Sequence, residues 1–426
     1  MIADHDPGEA FAWSPDSGSF GFDFISTGME VLDVGPLKRL LIGDFTVRIG
    51  YGLAAWSGSR RSGSPGSRIP APRATAITPK SGSNENDFLR GAAIELGFLE
   101  SFVFAAFASK RRHDGSNGTG LHRSAKEQAE RRDVTESTHG LLLRWTLGGL
   151  TSTASLIRIN STEIGDGLVS NGGLTLSFRS RWLSVSAEGG WHSNGRPSWM
   201  TALSLRPQHW FEVGSLVRWY PPATKASGPS PIGAGSLAAG TMPGWLTSFR
   251  FRYGATRLSF FRDQFVAASF TATRARPEVR TTLGAEIEIK PNNMEVVAGL
   301  LCDTREWRAL VDAGRGQVRG LEAGTRFRIR LRLRLNLNKS IETRLTLVRQ
   351  TARTEQGSTM TNEWRWQASS SISFFGGLTV FGGPSAVYSY EPSVRLQYSL
   401  LRLAGQGSRF YLMARFQTSS RIEIQI

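Results

Sequence analysis

The sequence predicts an all-β fold, a large up-and-down antiparallel transmembrane β-barrel of about 18 strands. Apolar and polar residues alternate with a period of two along most of the 426 residues. The alternating segments recur every ~10–15 residues, as in a meander of hairpins. No run reaches the ~18–20 consecutive apolar residues that a membrane helix needs. We expect residues 1–426 to form a single barrel domain, and the sequence leaves open whether its terminal strands are complete.

The clearest strand lies between Thr325 and Asn338, where two sets of residues alternate. At 180° per residue each set occupies one face of a strand, whereas 100° per residue would scatter both sets around a helix. At ~3.3 Å per residue the stretch can cross a bilayer even when it is tilted. The apolar set is Phe327, Ile329, Leu331, Leu333, Leu335 and Leu337, and the basic set is Arg326, Arg328, Arg330, Arg332 and Arg334.

Weaker alternation predicts further strands in chain order. Short turns such as Ser180-Arg181 separate some of them, and longer polar connections are predicted at about 57–87, 112–138, 221–243, 312–322 and 351–362. Short turns at one rim and long loops at the other are typical of outer-membrane barrels. The alternating segments include Leu141–Leu147, Leu174–Phe178, Leu183–Ala187, Leu283–Ile289, Val394–Leu400, Phe410–Phe416 and Ile422–Ile426.

Tryptophan and tyrosine cluster near the predicted strand ends, for example at Trp182, Trp191, Trp210 and Trp245. Such rings suit a girdle at the level of the lipid headgroups. A general preference of aromatic residues for strands gives the same pattern. The sequence therefore leaves both explanations open.

The arginines decide which face meets lipid. About 18 strands make a barrel too wide to fill with side chains, so a soluble closed barrel is disfavoured. An arginine facing lipid at the bilayer centre would cost ~2–4 kcal/mol, and we therefore expect the ladder Arg326–Arg334 to face the lumen. The ladder either draws anions inward or pairs internally with carboxylates. The candidate carboxylates are Glu286, Glu288, Glu342 and Glu363.

The formal net charge of +16 indicates an anionic partner. An anionic solute and DNA both fit, and a basic β-rich nucleic-acid-binding protein is the alternative function, although no known nucleic-acid-binding motif is visible. Cys302 is the single cysteine, so no intramolecular disulfide forms. No zinc-type spacing or HExxH motif occurs. We expect no metal and no cofactor.

Signals for catalysis are weak, and we predict that the chain is not an enzyme and has no catalytic residues. His192-Ser193-Asn194 has the residue types of a Ser/His/Asn lipase, but neighbours in a strand point to opposite faces, which favours a turn. Gly50-Tyr-Gly52 lacks the setting of a nucleotide site. Asp303, Glu306 and Asp312 have a spacing compatible with calcium, and solvated carboxylates explain them as well. An enzyme acting on membrane lipid is the third hypothesis.

Several segments resemble a known family. The segment from Leu41 to Gly58 is similar to "GDYxxxFGQGLxLWSG", Glu85–Ala93 to "ENRFxRGxA", and Thr119–Arg123 to "TGxHRT". Tyr388–Glu391 and Gly405–Leu412 are similar to "YAYExD" and "GxGSRFYL". These motifs belong to the barrel of helix-hairpin-helix-domain-containing outer-membrane proteins of the Bacteroidetes and related phyla. The resemblance implies an outer-membrane barrel and says little about activity.

The chain departs from that family in two ways. It contains no helix-hairpin-helix repeats, which weakens any claim of DNA binding. Its start, from Met1 to Pro7, has no basic and apolar regions of a signal peptide. Since an outer-membrane protein must be exported, we expect the true N-terminus to lie upstream. The predicted function is a channel, or a scaffold for envelope uptake or assembly, surrounded by outer-membrane lipid in the bacterial outer membrane. The sequence identifies no other envelope partner.

Overall fold

A computed structural model describes most of the chain, and every regular element in the described ranges is a β-strand. No helix in these ranges is long and apolar enough to cross a membrane. The described residues are 2–4, 13–14, 19–20, 24–55, 57, 69–80, 88–113, 134–162, 168–192, 195, 197–220, 243–267, 278–312, 317–338, 340–352, 355–385, 387–392, 398–403, 405–417 and 423–425.

The strands are numbered in chain order, and all pairs whose register is given below are antiparallel. They are β1 (Ile2–Asp4), β2 (Trp13–Ser14), β3 (Ser19–Phe20), β4 (Phe24–Ser26), β5 (Gly28–Val34), β6 (Leu37–Gly50), β7 (Arg73–Pro79), β8 (Leu89–Phe98), β9 (Phe102–His113), β10 (Val134–Leu147), β11 (Leu150–Ser161), β12 (Leu168–Arg179), β13 (Leu183–His192), β14 (Pro197–Gln208), β15 (Phe211–Trp219), β16 (Gly244–Tyr253), β17 (Thr256–Ala267), β18 (Glu278–Ile289), β19 (Met294–Asp312), β20 (Gln317–Asn336), β21 (Ile341–Ala352), β22 (Glu355–Gln367), β23 (Ile372–Gly382), β24 (Val387–Pro392), β25 (Tyr398–Leu403), β26 (Gly407–Gln417) and β27 (Glu423–Gln425).

Within the described ranges, twenty-one strands form one closed up-and-down sheet, in which strands that follow one another in the chain are neighbours from β5 to β23. Strands β26 and β27 continue it, while β1 with β4, β2 with β3 and β24 with β25 form separate pairs. The predicted fold class is confirmed. The strand count exceeds the predicted one because a short strand such as β7 carries no long alternating pattern.

The chain divides into two compact units. Unit 1 comprises residues 1–65, 69–204 and 216–243, and unit 2 comprises 66–68, 205–215 and 244–426. In unit 1 the alternation predicted from sequence is visible as alternating exposure along β10. Leu141 and Leu143 are 50% and 49% exposed, whereas Leu142 between them is 2% exposed. The face that carries Leu141 and Leu143 is the outer face, and the opposite one is the inner face.

Unit 2 shows the same alternation around its longest hairpin. Strands β19 and β20 pair from Met294 with Leu335 to Asp312 with Gln317, in unbroken register. At 19 and 20 residues they exceed the ~9–11 residues that a tilted strand needs to cross a bilayer. Phe327 and Ile329 are about half exposed on the outer face, as are other large apolar side chains of this unit.

Exposed tryptophans mark strand ends, as the sequence analysis predicts. Trp191 is the penultimate residue of β13 and Trp245 the second residue of β16, and both are more than half exposed. An amphipathic ring placed at the end of a lipid-facing strand fits the headgroup level. The tryptophans exposed by more than 40% are Trp182, Trp191, Trp199, Trp210, Trp245 and Trp366.

The boundaries of several predicted loops are wrong. Strand β7 lies inside the range 57–87, β9 and β10 extend into the range 112–138, β20 begins within 312–322 and β22 within 351–362. The predicted loop 221–243 lies outside the described residues except for its last position. The strand ends were missed because strands that continue beyond the apolar band can be polar on both faces, so alternation no longer marks them.

Candidate functional site: an arginine ladder and an inner hairpin

The five arginines of the predicted ladder occupy alternate positions of β20, on the face opposite Phe327, Ile329 and Leu331. Their register partners on β19 include Glu295 and Asp303, and those on β21 include Gln350 and Arg344. Because directly paired residues of neighbouring strands share a face, the ladder belongs to one polar face that runs across at least these three strands.

Carboxylates of neighbouring strands contact the ladder. Arg330 Nη2 lies 3.1 Å from Glu286 Oε2, and Arg332 Nη2 lies 3.4 Å from Glu295 Oε1. Arg334 Nε lies 2.7 Å from Glu342 Oε1. Glu286 and Glu342 are therefore direct partners, as expected from the sequence. Of the other two expected partners, Glu288 contacts Arg257 and Lys290, and Glu363 contacts Arg344.

Sequence analysis did not name Glu295, which contacts both Arg332 and Arg334. It follows the turn after β18, and strand register places it directly opposite Arg334. The sequence does contain a signal for this contact. The turn at Pro291–Asn293 precedes β19 and places Glu295 near the beginning of that strand, which pairs with β20. The contact of Glu295 with the arginines of β20 can be inferred only once the pairing of β19 with β20 is known.

Among the ion pairs of the described side chains on this face, six cations contact five carboxylates. The Arg328 guanidinium also donates from Nη2 to Gln350 Oε1 at 2.9 Å. The side chains of Arg330, Arg332 and Arg334 are 45%, 34% and 38% exposed. Half-exposed ion pairs contribute only ~0–1 kcal/mol each, so a passing anion can compete for these guanidinium groups.

A second feature, absent from the sequence analysis, fills the inner face of unit 1. Strand β6 pairs with β5 and β8 over its first half, and with β7 over its second half, from Phe45 to Gly50. The described residues 45–55, 57 and 69–79 form what we call the inner hairpin. Val47, Ile49, Tyr51, Leu53 and Ile77 are at most 1% exposed, so the hairpin lies in a dry environment.

The inner hairpin packs against apolar residues of the inner face. Its Phe45 ring meets the ring of Phe107 on β9 edge to face, with 6.1 Å between centroids. Leu142 and Ile157, which are buried on β10 and β11, belong to the same cluster. These are not the exposed leucines of the outer face. The outer apolar face and this inner core are therefore separate surfaces.

The hairpin leaves the sheet at Gly43. This glycine has φ +114°, and a Cβ there would lie 2.3 Å from the carbonyl oxygen of Thr27. Next to it, the Asp44 carboxylate accepts two hydrogen bonds from the Arg90 guanidinium, at 2.6 and 2.8 Å. The bidentate pair joins two of the segments that resemble the helix-hairpin-helix family, around Asp44 and around Arg90.

The turn of the inner hairpin is held by one carboxylate. Glu188 on β13, 2% exposed, accepts the backbone N–H groups of Tyr51 and of Leu53, the latter at 2.9 Å. The Tyr51 hydroxyl lies 2.5 Å from Ser186 Oγ. Gly50 and Gly52 both have positive φ and flank Tyr51 in this turn. The oxygens of this carboxyl group thereby satisfy backbone donors that the turn leaves unpaired.

The remaining candidates from the sequence are the carboxylates considered for calcium and the segment around His192. Asp303 faces Arg326 across β19 and β20, and the side chains of Glu306 and Asp312 lie outside the described residues. Among the described side chains, no group of three His, Cys, Asp or Glu could hold a metal ion. His192 ends β13, and Ser193 and Asn194 lie outside the described residues.

Comparison with known proteins was informative only at the level of structure. No family model and no curated protein sequence matches the chain. A mutant of the ferric enterobactin receptor PfeA from Pseudomonas aeruginosa matches with a TM-score of 0.52 and 10% identity, over 94% of this chain and 70% of the receptor. This chain is an outer-membrane β-barrel. The siderophore receptor PirA from Acinetobacter baumannii gives a TM-score of 0.51 and 9% identity, over 93% and 72%.

An outer-membrane β-barrel resides in the bacterial outer membrane, as predicted from the sequence. Both receptors share the fold of the barrel, and at 9–10% identity they show the fold alone. Membership of the helix-hairpin-helix family stays a prediction.

Proposed function

We propose that this outer-membrane β-barrel is a channel or uptake protein for an anionic solute, and that the polar face bearing Arg326–Arg334 lines its lumen. The observation that carries the proposal is the row of arginines on one face of β20, of which Arg330, Arg332 and Arg334 stay one-third to nearly one-half exposed although each contacts a carboxylate. The structural neighbours named as a ferric enterobactin receptor and a siderophore receptor support an uptake role.

The polar side chains of this face give the proposal its physical basis. A guanidinium donates several N–H groups in a planar fork and stays charged at any physiological pH, so it suits carboxylate or phosphate groups. The carboxylates Glu286 and Glu295 keep the arginines extended across the face, yet leave them one-third to one-half exposed. An anion can therefore exchange from one guanidinium to the next.

Ion selectivity tests the proposal. In planar bilayers with a KCl gradient, the purified barrel should prefer chloride over potassium. A unit charge ~10 Å from a passing ion in water changes the energy of that ion by about 0.4 kcal/mol. Two charges therefore favour chloride about fourfold and disfavour potassium about fourfold, which changes the permeability ratio about sixteenfold. We expect Arg330→Gln with Arg332→Gln to lower the chloride preference by about this factor.

The chain offers a matched control on the next strand. Arg349 on β21 pairs in register with Ile329, and so lies on the opposite face from the ladder. Arg349→Gln should leave the selectivity unchanged. A cation preference in the unmodified protein, or an equal shift in the control, would refute the anion-channel proposal.

The alternative of nucleic-acid binding stays a prediction that rests on the net charge alone. It requires an affinity for DNA that falls steeply as salt is added, because lysine and arginine side chains that bind the phosphates release their counterions into solution. Retardation of a duplex at low salt that disappears near physiological salt would support it, and no retardation at low salt would remove it.

A further inference from the structure

The side chains of a serine, a histidine and an asparagine contact one another on the inner face of unit 1. The sequence analysis did not connect these three residues. His192 Nδ1 lies 3.1 Å from Asn171 Oδ1, and His192 Nε2 lies 3.0 Å from Ser198 Oγ. Asn171 on β12 is the direct register partner of His192 on β13, and Ser198 is the second residue of β14. Three successive strands thus each supply one group.

The order of the contacts is that of a nucleophile, a general base and an orienting group. A neutral imidazole that donates its Nδ1–H to Asn171 Oδ1 presents a free lone pair at Nε2, which accepts the hydroxyl proton of Ser198. The competing acceptor for that hydroxyl, the Gly190 carbonyl oxygen, is farther away at 3.5 Å. The imidazole is therefore placed to take the serine proton.

The position of the three residues indicates a substrate that arrives through water. Their chain neighbours Trp191 and Trp199 are exposed on the outer face, so His192 and Ser198 point away from lipid. Leu53 of the inner hairpin lies beside them, since a Cβ placed on Gly190 would be 2.6 Å from Ser198 Oγ and 3.0 Å from Leu53 Cβ. Ser198 is only 3% exposed, so only a substrate with a short acyl group can reach its hydroxyl.

We propose that Ser198 and His192 are catalytic residues, with Asn171 as a positioning residue, in a site that hydrolyses water-soluble carboxylic esters of short acyl chains. Ser198 Oγ bonds to the carbonyl carbon while its proton passes to His192 Nε2. The carbon–oxygen bond to the alcohol then breaks, and the alcohol leaves with that proton. Water, deprotonated by His192, attacks the acyl-serine, which releases the acid and restores the hydroxyl.

The test uses the full chain folded in detergent, with a fluorophosphonate probe and p-nitrophenyl butyrate as substrate. We expect the probe to modify Ser198, identified by peptide mass, and Ser198→Ala to abolish both labelling and turnover. His192→Gln keeps a hydrogen-bonding side chain but no base, and should lower kcat at least about 100-fold. Asn171→Ala should lower kcat at unchanged KM, and Asn171→Asp should restore most of it.

A second serine of the inner face serves as the control. Ser155 is hydrogen-bonded to the Gly173 carbonyl oxygen at 3.4 Å, and Ser155→Ala should keep full labelling and turnover. Heat-modifiable gel mobility verifies that each variant is folded. Folded protein that the probe does not modify at Ser198, or turnover that survives Ser198→Ala or His192→Gln, overturns the proposal. Ion selectivity is independent of this site, so its outcome and that of the ester assay are separable.

Discussion

Removing the Glu188 carboxylate should release the inner hairpin while the rest of the sheet stays folded. The carboxylate is buried and accepts backbone N–H groups from Tyr51 and Leu53. In Glu188→Ala these donors remain in the dry interior without their acceptor. In Glu188→Gln the amide oxygen can still accept one of them, while the new NH₂ group opposes the other, so we expect an intermediate effect.

The size of the effect follows from the number of bonds. A buried N–H group that loses its acceptor costs ~1–3 kcal/mol, so two of them amount to about 2–6 kcal/mol. Water that enters the vacated space replaces part of this, which leaves about 2–4 kcal/mol for Glu188→Ala. Since 1.4 kcal/mol is a factor of ten, the open population of the hairpin should rise at least about 30-fold.

Amide hydrogen exchange measured by mass spectrometry reads this population directly. Peptides covering residues 47–57 of the Glu188→Ala protein should exchange at least about 30-fold faster than in the unmodified protein, by the arithmetic above. Peptides from β18 to β21 should not change. Glu286→Ala, which removes a carboxylate of unit 2, serves as the control and should leave residues 47–57 protected. If Glu188→Ala changes their exchange by less than about threefold, the carboxylate does not anchor the hairpin.

Two further predictions test the faces of the sheet. A Cβ on Gly173 would lie 2.7 Å from Ala54 Cβ of the hairpin, whereas one on the adjacent Gly172 has nothing nearer than 3.8 Å; Gly173→Ala should therefore destabilise docking of the hairpin by about 1–3 kcal/mol, seen as faster exchange, and Gly172→Ala should not. Leu331 is 41% exposed on the outer face. Leu331→Arg should destabilise the protein folded in lipid vesicles by about 2–4 kcal/mol, measured from the fraction of protein with folded gel mobility. An effect no larger than that of Leu331→Phe would contradict a lipid-facing position.

Much of the closed sheet was predictable, because its strands alternate apolar and polar residues and this alternation is visible in the local sequence. In β20 the leucines and the arginines occupy alternate positions, so residue type alone assigns each side chain to a face of the strand. No knowledge of the neighbouring strands is needed. The same rule placed the exposed leucines of β10. It failed at strand ends such as the start of β22, where Glu355 to Thr359 are mostly polar, because alternation carries no signal once both faces meet polar surroundings.

The inner hairpin and the Ser198 site could not be predicted, since both depend on long-range pairing. Val47 and Ile49 alternate like wall residues, and nothing local shows that their strand has left the wall at Gly43. Ser198 and Asn171 lie six and twenty-one residues from His192, and only the register of β12, β13 and β14 brings them together. Ser193 and Asn194, which the sequence analysis considered beside His192, lie outside the described residues.

The contact between Leu53 and Glu188 also bears on how the protein assembles. These residues are 135 positions apart, so the turn has no acceptor until β13 has been made and has reached it. Closing so long a loop is entropically unfavourable and slows folding. Until then Val47 and Ile49, which the folded protein buries, remain uncovered, and such transiently exposed apolar surface favours aggregation before the fold is complete.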